Sequence, residues 1–232
     1  MTTQATAAPV RAKSTYIASA LIVLIAVAGA MCHFYKIDRL PMGFFVDESS
    51  IGYNAYLIGQ SGLDEHGVRW PMFFEAFGEY KNPLYIYLLA AEYKALGYSE
   101  WSTRALSAFC WLIGSLALYD LGRRCFESSY TRLYLVLCLV FTPWLFALSR
   151  VSFELIALYP LLSIHLLGLW RGMRENSKLW TGVAGVALGL CVYAYSTFRL
   201  LVFAHIAVVC MIYLTRKVAA LQRCFLAGTI VV

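Results

Sequence analysis

Repeated apolar runs long enough to cross a lipid bilayer decide what this chain can fold into. A helix crossing the hydrocarbon core needs about 20 predominantly apolar residues. Such runs occupy 17–34, 101–121, 131–148, 153–170, 180–197 and 200–215, and another begins near 224. Of the 232 residues 61% are hydrophobic and 14% charged, and a soluble domain of this length has too little interior to hide that surface. The expected fold class is an all-α polytopic membrane protein, a bundle of about six full transmembrane helices plus the start of a seventh. The first run, 16–34, exceeds a signal-peptide core and lacks a small-residue cleavage site, which predicts a retained anchor.

Charge orders the runs across the membrane. A shorter apolar run, 83–97, contains Glu92 and Lys94. If it does not cross, Arg11, Lys13, Arg123, Arg124, Arg132, Arg171, Arg174, Lys178, Arg216, Lys217 and Arg223 all fall on one side. If it does cross, two of the later clusters face outward. Cytoplasmic loops collect Lys and Arg, so the first arrangement is expected, with the N-terminus in the cytoplasm. Segment 83–97 then reads as a helix in the outer interface, with Tyr80, Tyr85, Tyr87 and Tyr93 at headgroup depth and Pro83 at its start. The net charge of +6 is an orientation signal rather than a nucleic-acid surface, because the cations sit in short clusters between apolar runs.

The expected organisation is one transmembrane module over 1–232. Residues 16–34 form the first span, 35–100 a long outer loop with the interfacial helix, 101–215 the second to sixth spans, and 224–232 the start of a seventh. The chain stops within that last apolar run, which implies a piece of a longer protein. Its seven cysteines (Cys32, Cys110, Cys125, Cys138, Cys191, Cys210, Cys224) are scattered through apolar segments with no CxxC pair, and read as packing residues. His165 and His205 lie in apolar helices, where a neighbouring helix satisfies them. Gly185 and Gly189 read as a small-xxx-small packing pair. Asp64-Glu65-His66-Gly67 reads as a turn, since contiguous residues seldom converge on one metal ion.

The outer loop carries the chemistry. Asp47 and Glu48 follow Gly43-Phe44-Phe45-Val46, which places two carboxylates beside aromatic residues at the membrane surface. Lys81, in Glu79-Tyr80-Lys81-Asn82-Pro83, sits where a helix N-terminus and an ammonium favour an anion. Arg150 and Arg199 fall on short outer turns, Arg104 lies just inside the outer end of 101–121, and Glu154 follows Arg150 closely. Guanidinium groups bind phosphate through paired hydrogen bonds.

With these residues placed, GFFVDESSIGYNAYLIGQSGLDEHGVRWPMFFEAFGEYKNPLYIYL resembles the first outer loop of GT-C glycosyltransferases of the protein O-mannosyltransferase and lipid A aminoarabinose transferase branch. TPWLFALSRVSFE and YAYSTFRL resemble two later turns of that branch, so the resemblance covers about 35–205. It implies sugar transfer from a polyprenyl-phosphate carrier to an acceptor protein, lipid or glycan on the non-cytoplasmic side. Asp47 would be the general base and Glu48 a neighbouring site residue, with Lys81 and Arg104 tied to the carrier phosphate or to the integrity of the site. Arg150 and Arg199 match motif positions and are assigned to phosphate by their chemistry. Glu154 is an acceptor or metal contact. One position departs, since Ser50 stands where aminoarabinose transferases carry an arginine three residues after the aspartate.

An inverting displacement at an anomeric carbon needs a base for the acceptor proton and charge stabilisation for the departing phosphate. Cationic side chains supply the second without a required cofactor, and a divalent cation on Asp47, Glu48 or Glu154 is the alternative. The expected protein is thus an integral, multi-pass glycosyltransferase of the plasma or inner membrane. The rival class is a transporter or non-catalytic scaffold. A transporter places ionisable groups near the bilayer midplane, and these spans are nearly free of them.

Overall fold

The apolar stretch after Tyr16 continues an uninterrupted helix, α1 (Ala7–Phe34), with neither Pro nor a turn signal inside it after Pro9. This computed structural model describes residues 7–214, with side chains over 16–211. The expected cluster Arg216, Lys217 and Arg223, Cys224, and the apolar start at 224–232 lie outside the described residues. The chain divides into two compact units at Tyr195 and Ser196.

In the first unit α1 is followed by α2 (Val46–Ser61), a hairpin of β1 (Phe74–Ala76) and β2 (Glu79–Lys81), and α3 (Pro83–Leu96). The strands are antiparallel, with Phe74 opposite Lys81 and Ala76 opposite Glu79. Then come α4 (Glu100–Cys125), α5 (Ser129–Phe141), α6 (Pro143–Leu148), a 3-10 turn at Glu154–Ala157, α7 (Leu158–Arg174) and α8 (Lys178–Ala194). The second unit holds α9 (Phe198–Leu214).

Among the described residues three helical segments are long and apolar enough to cross a membrane: Tyr16–Phe34, Glu100–Cys125 and Glu154–Arg174. Ser129–Phe141, Lys178–Ala194 and Phe198–Met211 are apolar but shorter. The run 131–148, read from sequence as one span, is two helices. Pro143 has no N–H to give and its ring crowds the carbonyl four residues back, so the chain leaves helical geometry at Thr142 (ψ 114°). The outer loop is also more ordered than its polarity suggests. Residues 46–61 form a helix that ends at Gly62 in the left-handed region (φ 74°).

Helix α3 packs against α2, α4 and α8. Its tyrosines are not an aromatic belt. Tyr85 and Tyr93 are buried, Tyr85 bonding Ser107 (2.6 Å) and Tyr93 bonding Thr103 (2.7 Å) on α4, while the Tyr87 hydroxyl donates to the Pro71 carbonyl (2.7 Å). Of the four, Tyr80 alone is exposed. Tyr85 and Tyr93 join Ile51, Ile58, Phe74, Ile86, Leu89 and Ile156 in the main core.

The α7–α8 hairpin closes on a glycine seam other than the expected one. A Cβ on Gly168 would stand 2.9 Å from the Trp180 carbonyl, and one on Gly172 would meet Thr181, so these glycines allow α8 to approach. Gly185 and Gly189 face open space. The nearby His165 Nδ1 is 2.7 Å from the Ala184 carbonyl, the helix-to-helix bond expected of it.

One carboxyl group in this core is unsatisfied. Both carboxyl oxygens of Glu92 on α3 are shielded from solvent without a hydrogen-bond partner among the described residues. Burial raises its pKa from 4.5 to about 7. Tyr85, Tyr93 and Cys110 lie within its electrostatic range. A carboxyl whose folded pKa is raised contributes full stability below the ordinary carboxylate value and loses it as pH rises through about 7. Thermal unfolding in detergent from pH 4.5 to 8 is therefore expected to show falling stability for the native sequence. The Glu92→Gln variant is expected to have a flatter profile and a higher unfolding temperature at pH 8.

Candidate active site

Glu48 lies in the first turn of α2, 1% exposed, where four donors converge on it. The Phe45 amide (3.0 Å) and the Arg104 Nη2 (3.1 Å) donate to Oε2, and the Arg104 Nε (2.9 Å) and the Ser152 amide (2.7 Å) donate to Oε1. The Phe45 bond caps the start of α2, and the carboxylate also faces the positive end of that helix.

Arg104 is equally enclosed, at 1% exposure on the first turns of α4. Its Nη1 donates to the carbonyls of Ile37 (3.1 Å) and Pro41 (2.8 Å), and its Nη2 also donates to Gly43 (2.5 Å). With the two bonds to Glu48, all five guanidinium donors have protein acceptors. In this arrangement Arg104 positions the chain leaving α1 and has no N–H left for a phosphate. Arg150 makes a similar set: Nη1 donates to Cys32 (2.7 Å) and His33 (3.2 Å), Nη2 to Tyr35 (2.9 Å) and Leu40 (3.1 Å). These include end carbonyls of α1, where a cation also complements the helix dipole. Arg150 is electrostatically coupled to Arg104.

Asp47 is adjacent to Glu48 in sequence but faces a different environment. Its Oδ1 accepts from the Lys81 ammonium at the end of β2, and the two side chains are 28% and 11% exposed. Glu154, on the 3-10 turn ahead of α7, accepts from the Asn82 amide (2.7 Å) and side-chain amide (2.9 Å) and is within electrostatic range of Lys81 and Asp47. Asn82 is itself the residue before Pro83 at the start of α3.

The first unit thus brings Asp47, Glu48, Lys81, Arg104, Arg150 and Glu154 together from five separate segments. Arg199 falls in the first turn of α9, in the second unit, and belongs to that helix's own description. Sequence reading missed Asn82 and Ser152. Asn82 did carry a signal, a polar residue before a helix-starting proline; Ser152 acts through its backbone amide, which no side-chain pattern records. His33 was also unassigned. It stacks on Trp111 (3.5 Å between ring centroids) and bonds Ser149 (2.6 Å), fixing the turn that carries Arg150.

Among the described residues no group of three or more His, Cys, Asp or Glu side chains is arranged to hold one metal ion. Glu48 and Glu154 have both oxygens engaged by protein donors, so these carboxylates are not a ready ligand set and no step is assigned to a metal. Asp64-Glu65-His66-Gly67 is a turn, in which Asp64 Oδ1 accepts from the His66 (3.0 Å) and Val68 (2.7 Å) amides.

A sequence model of dolichyl-phosphate-mannose-protein mannosyltransferases matches residues 80–232, about two thirds of the chain. Comparison with curated proteins gave no match. Among solved structures, the fold is similar to the crystal structure of ArnT from Cupriavidus metallidurans in the apo state. The TM-score is 0.66 at 18% identity, over 87% of this chain and 37% of that one. At that identity the likeness establishes the fold, and the chain spans little more than a third of the length of that protein.

Removing one member of a buried ion pair strands the other, at roughly 3–5 kcal/mol. Glu48→Gln and Arg104→Met are each expected to lower stability by about that amount in detergent unfolding. The double variant Glu48→Met with Arg104→Met is expected to lose less than the sum of the singles, because neither charge is then orphaned.

Proposed function

The chain belongs to the dolichyl-phosphate-mannose-protein mannosyltransferase family, and from that premise we propose that it is part of a membrane glycosyltransferase. It moves a sugar from a polyprenyl-phosphate carrier to a protein, lipid or glycan acceptor on the non-cytoplasmic side. The three long apolar helices and three shorter ones supply the spans, and the Lys and Arg clusters put the N-terminus and the α7–α8 turn in the cytoplasm.

The observation that carries this reading is the contrast between the two adjacent carboxylates. Glu48 accepts four hydrogen bonds and is closed off, which suits a structural role. Asp47 is more open and is held by a single ammonium, that of Lys81. In the proposed step Asp47 takes the proton of the acceptor hydroxyl as the acceptor oxygen bonds to the anomeric carbon. The bond from that carbon to the carrier phosphate breaks, and its electron pair leaves with the phosphate, so the anomeric configuration inverts. Lys81 can turn from Asp47 toward the developing phosphate charge, freeing the base at the moment the leaving group needs a cation. Arg104 and Arg150 act by holding Glu48, the α1 exit and the turn before α7 in place, so that Asp47 and Lys81 meet. Glu154 anchors Asn82, the residue after Lys81.

General-base catalysis contributes about 10²–10⁴-fold. Asp47→Asn in the full-length protein is expected to lose transfer from a lipid-linked sugar by that factor while its unfolding temperature stays unchanged. Lys81→Ala is expected to weaken donor use as well. Undiminished turnover in Asp47→Asn overturns the assignment, and failure of the native protein to bind a polyprenyl-phosphate sugar in native mass spectrometry favours a scaffold.

A further inference from the structure

An apolar groove of about 570 Å³ runs along the α7–α8 hairpin from Lys178, at the end opposite Glu154, to Leu161 and Leu190. At ~1.5 Å per residue, Glu154–Arg174 places that end about 30 Å from Glu154, a full hydrocarbon thickness away. Leu161 and Ile164 of α7 form one wall; Val183, Val186 and Leu190 of α8 form the other. Gly182 also lines the groove, and a Cβ built there would meet nothing within 4 Å. The sole polar lining residue is Lys178, at the mouth.

We propose that this groove holds a bilayer phospholipid with an anionic headgroup, one acyl chain lying against Gly182 and the phosphate at Lys178. From Lys178 to Leu190 the groove runs about 18 Å along the helix axis, against about 15 Å for the hydrocarbon of one leaflet. It is therefore as deep as a single acyl chain in its own leaflet.

Charge selects the headgroup. The nearby acid, Glu175, is already paired with Arg171 (3.1 Å) and Arg124 (3.3 Å), and the Arg171 guanidinium also covers the Trp180 ring at 3.9 Å. Lys178 is in no ion pair among the described residues, and both it and Arg174 are exposed. The first-turn amides of α8 add their positive dipole end at the same mouth. An uncompensated ammonium over an apolar slot matches a phosphate on an acyl chain better than a zwitterionic head or an apolar protein segment.

Native mass spectrometry of the full-length protein, released from nanodiscs of phosphatidylglycerol or phosphatidylcholine with matched chains, tests this. Phosphatidylglycerol is expected to be retained preferentially, and Lys178→Gln to reduce its retention about fivefold, the effect of one cation at a membrane surface. Gly182→Phe, whose Cβ starts from open space and whose ring fills the slot, is expected to abolish retention with an unchanged unfolding temperature, whereas Gly182→Ala keeps it. Equal retention of the two lipids, or an intact phosphatidylglycerol signal in Gly182→Phe, overturns the proposal. So does a Gly182→Cys side chain shielded from alkylation after delipidation, which would place a protein segment in the groove. None of these variants touches the Asp47 site, so sugar transfer and lipid retention fail or succeed separately.

Discussion

The site region is organised around one buried ion pair, Glu48 with Arg104. Desolvating both charges is expensive, and the pair is tolerable because every donor and every carboxylate oxygen has a partner. Those partners come from the chain leaving α1, the first turn of α2, α4 and the turn before α7. A single salt bridge therefore fixes four segments far apart in sequence, and none can shift without leaving a charge or a carbonyl unsatisfied in a low-dielectric setting.

This separates side chains that are fully engaged from those that stay open. Arg104 and Arg150 have the chemistry of phosphate ligands, yet their guanidinium groups are directed at backbone carbonyls where the helix ladder has ended. Irregular backbone at a membrane surface carries unpaired carbonyls, and multidentate cations satisfy them efficiently. The more exposed pair, Asp47 and Lys81, retains capacity for new partners. Asp47 inherits its position from Glu48, because adjacent residues on one helical turn cannot move independently.

The far end of the bundle uses cations differently. There Arg124, Arg171 and Glu175 interlock while Arg174 and Lys178 remain exposed, which leaves a cation above an apolar groove. The tight Gly168 and Gly172 seam on one side of α8 and the open Gly182, Gly185 and Gly189 on the other give that helix a packed face and a free face.

Apolar length and the 3.6-residue period are local properties, so the helices α1, α3, α4, α7, α8 and α9 were legible in the residues alone, and so was the concentration of acidic residues after the first apolar run. Composition misled where a polar segment folded. The α2 helix buries Ile51, Ala55 and Ile58 while Val46, Tyr53 and Tyr56 stay exposed, and the β1–β2 hairpin is too short to show a period. Pro143 announced a break that hydropathy averaged away, and glycine spacing suggested a packing pair without saying which side of α8 faced a neighbour. Which carboxylate is sealed and which stays open was decided by the tertiary structure alone. Asp47 and Glu48 are neighbours with the same charge, and they differ because one helical step turns Glu48 into Arg104 and Asp47 toward Lys81.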